Sequence, residues 1–96
     1  MNYDTLEIRR AARELDAVSG DVSHVAGNDL ARMLRSLSGS FEGDAAEVLN
    51  RQLNDLSRDL NRLSGGLDQI AAALRAYARH LEELDRQMAQ GINGGW

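Results

Sequence analysis

Chemistry in this chain would be sought first at His24 and His80, its two histidines, and at the acidic cluster Glu82, Glu83 and Asp85. A histidine pair can hold a metal, and paired carboxylates can exchange protons when a cleft shifts one of their pKa values. The elements that would carry these residues place them badly for either task. An antiparallel pair of helices sets His80 near the N-terminal end and His24 near the middle, too far apart to share an ion. A narrow bundle offers the carboxylates no cleft, so they read as a solvated face. Gly65-Gly66 lacks the strand and lysine of a phosphate-cradling loop, and no nucleophile–base pair or metal-ligand spacing is present. We therefore expect a non-enzyme with no cofactor, no metal and no small-molecule substrate.

Composition narrows the class further. The chain has 96 residues, no proline and no cysteine, with 27% charged and 4% aromatic residues. Disulfides and cysteine-based metal or redox sites are excluded. The aliphatic residues are mainly Leu and Ala, both strong helix formers, as in a bundle or coiled coil. A net charge of −4 argues against nucleic acid as a partner, because phosphate binding needs a basic footprint. The first residues carry no basic and apolar signal-peptide pattern, and no run approaches the length of a membrane span.

Periodicity sets the architecture. Leu49, Leu53, Leu56, Leu60, Leu63, Leu67, Ile70, Leu74, Tyr77, Leu81, Leu84 and Met88 alternate by four and three without a break. That 3.5-residue period is the seam of a left-handed supercoil. Asp44 and Glu47 resemble a capping box at its start, and the glycines after residue 90 are expected to stop it. Ile8, Ala11, Leu15, Val18, Val22 and Val25 keep the same spacing in the first half, whereas Leu30, Met33 and Leu37 resume it one residue out of phase. Gly27 sits at that slip, where a local bend is expected. Asp4 and Glu7 form a second capping pair. The reading is all-α: a single domain, 1–96, folded as an antiparallel two-helix hairpin with coiled-coil packing. Helix 1 spans about 5–38, the turn 39–43, helix 2 about 44–90, and 91–96 form a flexible tail. Leu63, Leu67 and Ile70 hold the heptad phase across Gly65-Gly66, which favours one continuous helix over a break giving three. Gly20 and Gly65 fall at one level of the hairpin, so close backbone approach there is expected.

The seam also implies a partner. With Leu49 at position d, the flanking positions are mostly small or neutral: Asn50, Ser57, Ser64, Ala71, Ala78 and Asp85 on one side, and Gln52, Asp59, Gly66, Ala73, His80 and Gln87 on the other. Small flanks widen the apolar stripe, so helix 2 can face more than one neighbour. A hairpin gives each helix a single neighbour and leaves part of the stripe wet. Pairing two hairpins into a four-helix bundle covers it, and each newly buried Leu contributes about 1.5–3 kcal/mol. The expected partner interface comprises the helix-2 leucines from Leu49 to Leu84 with Ile70 and Tyr77, together with Val18, Val22 and Val25.

Phe41-Glu42-Gly43, in a turn between two helices of a chain of about one hundred residues, resembles the W-x-G turn of the WXG-type family of type VII secretion proteins, relatives of the early secreted antigenic target. Phe41 stands where that family has Trp, and Gly43 matches its glycine. Asp44-Ala45-Ala46 and the Leu-rich second helix are similar too, so the resemblance covers nearly the whole chain. It implies a helical hairpin, made without a cleaved signal peptide, that pairs head to tail with itself as a homodimer, with a related hairpin, or with the helical N-terminal domain of a toxin. It also implies secretion from the cytoplasm through a type VII system and its membrane ATPase, as a substrate or as a helper. The family's C-terminal export signal, Tyr followed four residues later by Asp or Glu, is not met: Leu81 stands at that distance from Tyr77, and Glu82 one later. The resemblance thus implies dependence on a partner's signal or a place in a divergent helper branch. From the residues alone, a cytosolic coiled-coil adaptor or structural interaction protein stays open.

Overall fold

A computed structural model describes residues 4–39 and 42–94. The expected all-α hairpin is what it shows. Helix α1 spans Thr5–His24, a π-helical turn spans Val25–Asp29, α2 spans Leu30–Ser38, and α3 spans Asp44–Gly94. Together they form a rod 80 × 15 × 13 Å. The Asp4 side chain caps α1 by accepting from the Glu7 amide at 3.1 Å, as the Asp4/Glu7 spacing suggests. At the head of α3, the expected Asp44 cap is displaced by one residue. The Gly43 carbonyl accepts from the Glu47 amide at 3.2 Å, and Asp44 is already helical. Asp44 and Glu47 instead sit in the first turn, where their charges favour the helix dipole.

α3 passes through Gly65 and Gly66 unbroken and runs to Gly94, beyond the end near residue 90 that the glycines suggested. Glycine weakens a helix by about 1 kcal/mol per residue relative to Ala but removes no backbone donor, so without proline nothing forces a stop. The one-residue phase slip near Gly27 appears as the π-turn. Leu30 N–H bonds to Val25 O, and the extra residue is absorbed without breaking the rod. Ser57 Oγ reaches across from α3 and donates to the Ala26 carbonyl at 2.8 Å.

The expected role of the glycines is overturned. A Cβ built at Gly20, Gly65 or Gly66 meets nothing within 4 Å. Close approach is made instead by Ala12, Ser19 and Ala26 against Ser64, Ala71 and Ala78, all buried. Gly65 therefore carries a helix penalty with no packing return. We expect Gly65→Ala to stabilise the chain by about 1 kcal/mol, read as a higher melting temperature. Gly43 differs, because its φ of 63° lies in the left-handed region. Gly43→Ala should cost about 1 kcal/mol, checked by the urea midpoint.

Candidate partner-binding face

Each helix carries its residues in rows seven apart, and the contacts assign every row a direction. Ala12 and Ser19 on α1 and Ala26 in the π-turn meet Ser57, Ser64, Ala71 and Ala78 on α3. On one edge of this contact, Arg9 binds Glu82 at 2.7 and 3.2 Å, and Arg75 pairs with Asp16. On the other edge, Ile8, Leu15 and Val22 lie half-buried beside Leu53, Leu60, Leu67 and Leu74. Beyond these, Val18 on α1, Val25 at the start of the π-turn, and Leu56, Leu63, Ile70 and Tyr77 on α3 stand exposed, at 37–54%.

The hairpin is therefore one-sided. The ion-paired edge is finished, whereas the opposite face is apolar across both helices. The residues read from the sequence as a partner interface divide accordingly. Leu56, Leu63, Ile70, Tyr77, Val18 and Val25 lie open, and Leu49, Leu53, Leu60, Leu67, Leu74, Leu84 and Val22 are half-buried. Leu81 needs correction. It is 5% exposed and committed to the hairpin's own contact, because it sits at the level where α1 begins. Phe41 lies outside the described residues, as do Gly95 and Trp96 of the expected tail; Gly43 is the described part of the turn motif.

A polar cluster built on the buried Ser19 and Ser64, with the exposed Asp68 at its edge, marks the middle of the contact. Ser19 Oγ lies 2.6 Å from Asp68 Oδ1, 2.7 Å from Ser64 Oγ and 3.0 Å from the Ser64 carbonyl oxygen. With a single proton, the Ser19 hydroxyl best donates to the charged carboxylate and accepts from Ser64. The Ser64 hydroxyl also reaches the Ser19 carbonyl at 3.1 Å.

This cluster and the ion pairs set the register of the hairpin. The small rows repeat every seven residues on both helices, so a slip of one heptad again sets small against small. The charges do not tolerate it. A slip in one direction brings Arg9 to Arg75 and Asp16 to Asp68; a slip in the other brings Asp16 to Glu82. Like charges in register are unfavourable, and burying Ser19 away from Asp68 costs a hydrogen bond.

The Arg9 guanidinium holds the Glu82 carboxyl below the ordinary glutamate value, chiefly through their hydrogen bonds, with a further bond from Thr5. A depressed folded value contributes stability that is present above the unfolded value of about 4.3 and lost as pH falls through the folded one. We expect Glu82→Gln to flatten the fall of melting temperature with acid below about pH 4. An unchanged slope would show that the pair is solvated away.

The groups that suggested chemistry are placed apart. His24 accepts from the Asn28 amide at 3.0 Å and faces Asp29 at 3.7 Å. His80 is exposed far along α3. Glu83 binds Arg86 through its Nε at 3.0 Å. No group of three metal-binding side chains occurs among the described residues. A cavity of about 250 Å³ between the π-turn and α3 is lined by Leu30, Leu34, Leu53, Asn54 and Ser57 with small neighbours, none of them titratable. No helix among the described residues is long and apolar enough to cross a membrane.

The family model described as WXG100, proteins of 100 residues with WXG, matches residues 1–86. No curated protein and no solved structure matches the chain.

Proposed function

We propose, from the premise that this chain belongs to the WXG100 family of small helical secretion proteins, that it is a type VII secretion substrate or helper that works by pairing its apolar face with another helical hairpin. The exposed rows Leu56, Leu63, Ile70 and Tyr77 with Val18 and Val25 carry this reading. They form a face two helices wide, opposite an edge already closed by ion pairs. A contiguous apolar patch of that shape marks an interaction surface, and a second hairpin laid on it completes a four-helix bundle. The partner is a related hairpin or the helical N-terminal domain of a larger effector. Because Tyr77 lacks an acid four residues on, the export signal comes from that partner, and the secretion ATPase engages the pair. Deleting the secretion ATPase in the native host tests the reading. The protein and its partner should both vanish from the culture medium and accumulate in cells; unchanged export would overturn it.

A further inference from the structure

The apolar face is bordered on the α1 side by a row of acids. Glu7, Glu14 and Asp21 are spaced by seven, are exposed, and follow Ala11, Val18 and Val25 around the helix on the side away from α3. Arg10 engages Glu7 at 2.7 Å, so Glu14 and Asp21, near the middle of the rod, dominate this border. The matching border on α3 reads Gln52, Asp59, Gly66, Ala73, His80 and Gln87, and is nearly neutral.

The length of α3 decides which borders meet. Thr5, at the start of α1, lies beside Glu82, and α3 continues to Gly94, about 18 Å farther at 1.5 Å per residue. Leu84, half-buried, and Met88, 43% exposed, sit on this extension. A second hairpin reaches them along its whole length only when its own long helix lies on α3, and its first helix then lies on α1. Run antiparallel, two copies of this chain would set Glu14 of one towards Asp21 of the other, twice over; run parallel, they would set Glu14 against Glu14 and Asp21 against Asp21. Unlike the α3 border, the α1 border opposes self-pairing.

We infer that the hairpin covering this face is a different chain, one that presents Arg or Lys along the border of its first helix, and that a second copy is the disfavoured occupant. The inference rests on the pairing reading above and adds the charge rule that selects among hairpins. Across a bundle, charges beside the seam choose the partner more than they add affinity.

A charge-reversed copy of the chain serves as the probe. Glu14→Arg/Asp21→Arg changes two exposed helix positions, and circular dichroism checks that it folds. The variant and the unaltered chain, carrying different mass labels, are mixed at low salt and followed by native mass spectrometry and sedimentation equilibrium. The mixed pair should exceed its statistical share and be about tenfold tighter than the unaltered pair, an advantage that shrinks at high salt. Independently, Glu14→Gln/Asp21→Asn should strengthen self-pairing of the altered copy. If every combination pairs equally well at low salt, the charge rule falls while the pairing reading stands. If no combination pairs at any concentration tested, the pairing reading falls and takes the charge rule with it.

Discussion

Leu63→Asp/Ile70→Asp should abolish pairing while leaving the hairpin helical. Both side chains are half-exposed in the single chain, at 50% and 51%, so the fold spends little on them. Covering the exposed half of each contributes about 1–1.5 kcal/mol at roughly 25 cal/mol per Å². A carboxylate left in the covered face adds a desolvation penalty of its own. In a symmetric pair each substitution counts twice, so the loss reaches about 5 kcal/mol or more, over a thousandfold in Kd. Against a different partner the loss is about half as large. Leu60→Asp/Leu67→Asp is the informative contrast. Those residues are half-buried between the helices, so it should lower the thermal stability of the hairpin as well as its pairing. Sedimentation with a melting curve separates the two classes. A Leu63/Ile70 variant that still pairs would move the interface elsewhere on the rod.

That contrast shows how far the residues could be read in advance. The unbroken alternation from Leu49 to Met88 revealed a seam, and its small flanks revealed a stripe wide enough for two neighbours. Which row meets which neighbour is a tertiary property. The leucines at a (Leu53, Leu60, Leu67, Leu74) turn partly towards α1, the small row (Ser57, Ser64, Ala71, Ala78) faces it directly, and the leucines at d turn outward. A period of 3.5 is the same whichever way the stripe is rotated. The slip at Gly27 was legible as one surplus residue, but a bend and a π-turn have the same sequence phase. The Ser57 bond to the Ala26 carbonyl, which accompanies the π-turn, joins residues far apart in the chain. Similarly, the alternation of Arg9 and Asp16 against Glu82 and Arg75 gains meaning only once the register is known. Gly20 and Gly65 misled because small residues mark close approach only when they point inward; these two do not, whereas Ser19 and Ser64 beside them do.

The tightness of that inward row leads to the second large effect. Ala71 is fully buried against α1, and the neighbouring Ala72 is exposed. Ala and Leu have nearly equal helix propensity, so Leu at either position leaves α3 itself intact. At Ala71, which is 0% exposed, the added isopropyl group has no space. Helices packed through Ala and Ser sit near the short end of the 8–10 Å range of interaxial distances, and a Leu must push them apart. The separation pulls Ser19 from Asp68 and Ser64, so a buried hydroxyl loses its partners together with the apolar contact. Overpacking of this kind costs about 1–3 kcal/mol, and the broken cluster adds about 1 kcal/mol. Ala71→Leu should therefore lose about 3 kcal/mol, a large part of the stability of so thin a fold, and Ala72→Leu close to none. Urea unfolding of both variants decides it. If Ala71→Leu proves as stable as Ala72→Leu, the helices are not held through the small row, and the outward direction of Leu63 and Ile70 loses its basis. A melting point that falls for Ala71→Leu while the partner-bound form recovers it would show instead that pairing, through the opposite rows, clamps the two helices from outside.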